Sequence, residues 1–178
     1  MSQPRTTMIK RVGDQTKPGN WDEASVAPAG WDDVRRRLRE GPGPCWLSAG
    51  SGSGPHVRPV FAAWTGDSFV VASNPGARKT AVLRTSPVCS VAIDLKEMHL
   101  VVEGRANRLT AEPDLRRSVA AFDEVFSWPT EVDGDLLTSS YAAPSSGGPS
   151  FEVYEIRPVK AYAFPTSDQF EPTRFNWK

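Results

Sequence analysis

"PHVRPVFAAWTGDSFVVASNPGARKTAVLRTSP", residues 55–87, holds two apolar runs, a turn and a short helix in an order that decides the architecture. Along the first run, alternation places Arg58, Val60, Ala62 and Trp64 on one face and Val57, Pro59, Phe61 and Ala63 on the other. Gly66-Asp67 is a turn signal, and the run from Phe69 to Ser73 continues as the next strand. Asn74-Pro75-Gly76 interrupts it, and the residues that follow suit a helix over 77–84 that ends before Pro87. Strands joined by turns this short are antiparallel, because a parallel pair needs a long crossover.

Three cations in this stretch require an explanation. Arg58 stands among apolar neighbours, where an unpaired guanidinium is expensive. It needs either an acidic partner within the fold or an anionic ligand. Arg78 and Lys79 fall in the first turn of the helix, where backbone N–H groups attract anions and where cations slightly oppose the dipole. They are either a solvated pair or the receiving end for a phosphate. In the second case arginine grips bidentately, lysine adds a point charge, and Ser73 and Thr80 offer hydroxyls. The residues themselves leave both readings open.

The pattern extends outward from this stretch. Residues 1–28 are polar and broken by Pro4, Pro18 and Pro28, which predicts an irregular arm ahead of one domain over 29–178. "WDDVRRRLRE" predicts a helix over 31–40, with Trp31, Val34 and Leu38 on one face. "CWLSAG" forms a hairpin with the following run through "SGSG". "PVCSVAID", "MHLVVEGRANRL" and "FEVYEIRPVKAYAF" complete a set of six strands. A helix over 111–126, capped by Thr110, presents Leu115, Val119, Phe122 and Phe126, and 127–150 reads as loop. The fold class is mainly β with flanking helices, a six-stranded antiparallel barrel rather than a Rossmann sheet.

Composition excludes several functions. The 178 residues carry 21 basic and 21 acidic side chains, so no overall field favours nucleic acid. No apolar stretch approaches the roughly 20 residues of a membrane span, and the first residues lack the apolar middle of a signal peptide. A cytoplasmic location is expected. Cys45 and Cys89 read as core residues, and His56 and His99 lack companions at metal-ligand spacing. Glycines 50, 52 and 54 fit a hairpin turn better than a nucleotide loop, and Ser48 has no nucleophile-elbow context. Trp128, before Pro129, suits the edge of a core better than a stacking platform for a ring.

Taken in order, "PHVRPVFAAW", "FVVASNPGARKTAVLRTSP" and "VVEGRANRL" resemble the FMN-binding split barrel of the pyridoxamine 5'-phosphate oxidase-like family, which includes deazaflavin F420-dependent oxidoreductases. The ending "YEIRPVKAYAF…FEPTRFNWK" is similar to the carboxyl end of actinobacterial members. The resemblance covers roughly residues 30–178 and implies a split barrel, a flavin cofactor and a homodimer with cofactor sites at the interface. It implies that Arg58, Pro59 and Val60 run along the flavin, with contacts from Ala72 and Ser73. Arg78, Lys79 and Thr80 would hold the phosphate, and His99 would offer a hydrogen bond. Arg174 and Trp177 would approach the site of the neighbouring subunit. The Arg-x-His substrate motif of the biosynthetic oxidase is not evident in the tail, so pyridoxamine phosphate oxidation is not implied.

The expected function is thus a flavin-dependent oxidoreductase binding FMN, or F420, and acting on a small molecule. A flavin-storage module and a haem-binding split barrel using His56 or His99 are the alternatives. F420 carries a polyglutamate tail, for which Arg35, Arg36, Arg37 and Arg39 are the available cations, although such a run also suits a solvated helix face. The dimer has a second ground in the sequence. The strand over 55–64 is apolar on both faces, and a small barrel buries only one within itself.

Overall fold

The computed structural model describes residues 3–9, 27–52, 54–143 and 146–178. Among them, eleven strands join in one hydrogen-bonded sheet, with three helices. The elements are β1 (Arg5–Met8), α1 (Trp31–Arg39), β2 (Cys45–Ser51), β3 (Gly54–Val60), β4 (Ala62–Trp64), β5 (Phe69–Ser73) and α2 (Arg78–Thr85). They continue as β6 (Val88–Leu95), β7 (Met98–Leu109), α3 (Glu112–Phe126), β8 (Thr130–Asp133), β9 (Leu136–Ser139), β10 (Ser150–Pro165) and β11 (Thr173–Asn176). No helix of the described residues is long and apolar enough to cross a membrane.

The main strand order is β1-β11-β10-β7-β6-β2-β3, and β5 pairs with both β10 and β4. All named pairings are antiparallel. The six runs read as strands are all present, but the run over 55–64 is two strands. It breaks at Phe61, so that β3 pairs β2 while β4 pairs β5. Phe61 leaves the ladder to stack on Phe126 of α3 at 4.6 Å between ring centroids. The predicted faces survive the break. Val60, Ala62 and Trp64 meet one apolar cluster, and Ala63 belongs to the other.

The count of six strands does not hold. Arg5–Met8, within the segment expected to be an irregular arm, pairs with β11. Most of the rest of that arm, residues 10–26, lies outside the described residues. The expected loop over 127–150 contains the β8–β9 hairpin, whose turn carries Gly134 at φ +62°. Helix α3 begins after Ala111, with no side-chain cap, rather than from a Thr110 cap. Pro113 lies in its first turn, a position proline favours because its missing N–H has no partner there anyway.

One core fills the barrel beneath α1, from Leu47 and Val91 to Leu100, Val102 and Ile156. Trp31 of α1 closes it against Trp64, Phe175 and Trp177, at 6.1, 5.0 and 4.7 Å. The second core lies under α3, around Phe122, Trp128, Leu137 and Phe151. Trp128 is buried there and its Nε1 donates to the Tyr141 carbonyl at 3.0 Å, so it seals the core edge. Cys45 and Cys89 are both free and buried. Both cores leave α2 only lightly anchored, with Thr80, Val82 and Leu83 its buried residues.

Candidate functional site

The turn that launches α2 is built by Asn74. Its Oδ1 accepts from the Gly76 N–H at 2.9 Å and its carbonyl accepts from the Ala77 N–H at 3.0 Å. Its amide nitrogen donates to the carbonyl of Gly147, tying the turn to the segment before β10. An asparagine that bonds forward to the second following N–H is a standard turn former. The helix then starts with no side-chain cap and no acidic residue in its first turn. The first turn of α2 itself therefore supplies no carboxylate to answer the dipole of its N–H groups.

Ser73 and Thr80 do not offer their hydroxyls outward. Thr80 is fully buried and donates to the Asn74 carbonyl at 2.6 Å. Its Oγ1 lies 2.6 Å from the Ser73 hydroxyl. With the Thr80 proton directed to Asn74, Ser73 is the donor of the second bond. Both protons are engaged inside the turn, and these residues brace the loop to the helix.

The cations converge. Arg58 lies on the barrel-side face of β3, level with Leu47 of β2, and His56 lies two residues earlier on the same face, level with Ala49. His56 is buried at 7% exposure. Burial first, and then the positive charges of Arg58, Arg78 and Lys79, push its imidazole below the ordinary value of 6.5. Lys79 is half-buried, and burial together with the Arg58 charge pulls its ammonium below the usual lysine value. The positive charge of Arg58 thus works against a charged Lys79, as like charges do. The Arg58 guanidinium donates to the Val57 carbonyl at 2.7 Å. Among the described residues, neither Arg58 nor Lys79 forms an ion pair with a carboxylate. Of the two readings of Arg58, the acidic partner is absent among the described residues.

His56 was not placed in this cluster from the sequence, although alternation puts it on the face of Arg58. Pro59 and Val60 follow on β3, which ends the main strand order and, among the described residues, pairs with β2. Ala72 is half-buried in β5, one residue before the turn.

The remaining candidates lie elsewhere in this chain. The ladder Arg58–Leu47–Val91–Val102 runs across four strands, and His99 stands three residues along β7 from Val102. That is roughly 10 Å along the strand, with the odd-numbered β7 side chains on the outer face. His99 Nδ1 is 3.3 Å from Asp94 Oδ1. Arg174 is exposed on β11, level with Tyr162. Trp177 is part of the aromatic packing on Trp31. None of these three joins the cation cluster within this chain.

Three of the four arginines in the α1 run pair with nearby carboxylates. Arg35 pairs with Asp32 at 3.5 Å, and Arg36 with Asp33 and with Glu40 at 2.6 Å. Arg37 pairs with Asp33 at 2.9 Å and Glu97 at 3.5 Å. This is the solvated, salt-bridged helix face rather than a basic groove.

A sequence model described as pyridoxamine 5'-phosphate oxidase matches residues 32–164. No curated protein matches the chain. Among solved structures, an FAD-binding protein from Mesorhizobium loti is similar with a TM-score of 0.55 at 17% identity, covering 84% of this chain and 96% of that one. A heme-binding protein from Mycobacterium smegmatis reaches 0.57 at 16% identity, covering 78% of this chain and 55% of its own. PhzG from Burkholderia lata, in complex with tetrahydrophenazine-1-carboxylic acid, reaches 0.55 at 15% identity, covering 89% and 91%. At these identities the likeness shows the fold.

Proposed function

The chain belongs to the pyridoxamine 5'-phosphate oxidase family, and from that premise we propose that it is an FMN-dependent oxidoreductase acting on a small molecule as a homodimer. The observation that carries this reading is the convergence of Arg58, Arg78 and Lys79 at the uncapped amino end of α2. A phosphate monoester is the anion that suits it. It has about two negative charges to set against three cations, and several oxygens for the guanidinium and N–H donors.

In this reading Arg58, Arg78 and Lys79 hold the phosphate, helped by the first N–H groups of α2. Ser73 and Thr80 act one step back, by fixing the turn. Pro59 and Val60 border the ring along β3, with Ala72 beside them. When bound, the flavin supplies the hydride and electron transfer, and the protein binds, orients and shields it. Three of the four α1 arginines are engaged in salt bridges, which leaves little basic surface there for a polyglutamate tail and favours FMN over F420.

The dimer rests on the outer sheet face. Trp46, Val57, Val88 and Phe164 are 40–57% exposed there, an unusual set of large apolar side chains on a barrel wall. Arg174 is exposed on the same face, placed to reach a partner's site, whereas the packed Trp177 would contribute through its own core.

The test is the absorbance spectrum of the purified protein, alone and after addition of FMN, F420 or haem. Bound flavin bands, with turnover of a reductant and an acceptor, are the expected result. A haem band without flavin binding would instead favour the haem reading, for which buried His56 is the better placed ligand. Flavin binding without turnover would make the protein a carrier.

A further inference from the structure

The carboxylate of Glu152 stands in a place that simple electrostatics would forbid. It is buried at 3% exposure in β10, and its Cα partner across the ladder is Ser73, the residue that leads into the phosphate turn. A negative charge beside an anion site should weaken that site. The partners of Glu152 explain its presence. Arg84, in the last turn of α2, reaches it at two points, Nη2 to Oε1 and Nε to Oε2 at 3.3 Å. Arg108 of β7 lies 3.7 Å from Oε1 and is itself held 2.7 Å from Asp135 in the β8–β9 turn. Tyr154 donates its hydroxyl to Oε2 at 2.5 Å.

Helix α2 is thus pinned at both ends to the β5–β10 pair, by Thr80 on Ser73 and Asn74 and by Arg84 on Glu152. Its apolar anchorage is slight, with Val82 and Leu83 the only buried aliphatic residues among eight. Polar ties therefore decide how its amino end faces Arg58. Burial alone would raise the Glu152 carboxyl, but the Arg84 and Tyr154 hydrogen bonds and the Arg108 and Arg84 charges outweigh it and keep the group ionised. We propose that Glu152, acting through Arg84, is the positioning residue that sets α2 against the sheet and thereby the phosphate affinity of the cation cluster. The inference rests on the FMN reading above.

Riboflavin carries the same ring without the phosphate, so the ratio of FMN to riboflavin affinity isolates the cluster. Flavin fluorescence titrations on the full chain compare wild type with Glu152→Gln, Arg84→Met and Arg84→Lys. Glu152→Gln and Arg84→Met should each lower the ratio about tenfold, the scale of one lost charge-assisted bond, with riboflavin affinity little changed. Charge alone predicts the opposite sign for Glu152→Gln, since removing an anion should tighten FMN. An unchanged or raised ratio in that variant overturns the proposal. Should Glu152→Gln fail to fold, the half-exposed Arg84 decides the matter. Arg84→Lys keeps the charge and loses the two-point grip, so the ratio should still fall, and a wild-type ratio overturns the positioning role. Wild-type protein that binds no FMN overturns the flavin reading instead, and this inference with it.

Discussion

Replacing Lys79 by alanine separates the chemistry of the cation cluster from the stability of the fold. The side chain is half-buried, and in the ligand-free protein its ammonium meets a burial penalty and the like charge of Arg58. No carboxylate of the described residues compensates, so removing the amine relieves repulsion. The apoprotein should melt at the wild-type temperature or slightly above it. Phosphate binding should move the other way. Lys79 would supply one charge-assisted hydrogen bond, worth about 1.5–3 kcal/mol, or roughly a 10- to 150-fold increase in the dissociation constant for FMN. Calorimetric titration of the wild-type and Lys79→Ala apoproteins measures this, with riboflavin as the control that should lose little. An unchanged FMN affinity removes Lys79 from the site. An equal loss for riboflavin shows a disturbed ring pocket rather than a lost phosphate contact.

The thiols should be inert while the protein is folded. Burial pushes both Cys45 and Cys89 up to about 11, so an aromatic disulfide reagent at pH 8 should find two thiols only after unfolding. Fast reaction of either in the native state contradicts the packing. His56 should make the apoprotein acid-sensitive. Its folded value lies below 6.5, so the unfolded chain takes up the proton first and stability falls as pH drops from 6.5 through the folded value. His56→Gln should flatten that part of the melting profile, and an unchanged slope would place the sensitivity elsewhere. On the outer face, Trp46→Asp should convert a wild-type dimer to monomer by sedimentation equilibrium. A wild-type monomer that retains flavin would end the shared-site account.

The local grammar of the chain was readable because glycine and proline punctuate it. The starts and ends of α1, α2 and α3 fall within a residue of those expected from "GPGP", Pro87 and the helical period. The β8–β9 hairpin was also signalled, by Asp133-Gly134 between Val132 and Leu136, but the surrounding serines and prolines obscured it. What could not be read was long-range. Alternation placed Arg58 correctly on the face of Val60, yet nothing local says that α2 folds back so that Lys79 faces it. The hydroxyls of Ser73 and Thr80 have the right chemistry for a phosphate. Only the folded turn shows that they bond to each other and to Asn74 instead. Trp177 looked like a tail residue and is held by its own Trp31, because α1 offers an aromatic surface that sequence separation concealed.

The central claim is that a phosphate sits among Arg58, Arg78 and Lys79. Phosphorus NMR of FMN titrated with the apoprotein observes that group directly. A free phosphate monoester loses its second proton near pH 6. Cations close around it should favour the dianion, so the bound resonance should shift and its titration should move to lower pH. A bound flavin whose phosphate still titrates like free FMN would contradict the claim.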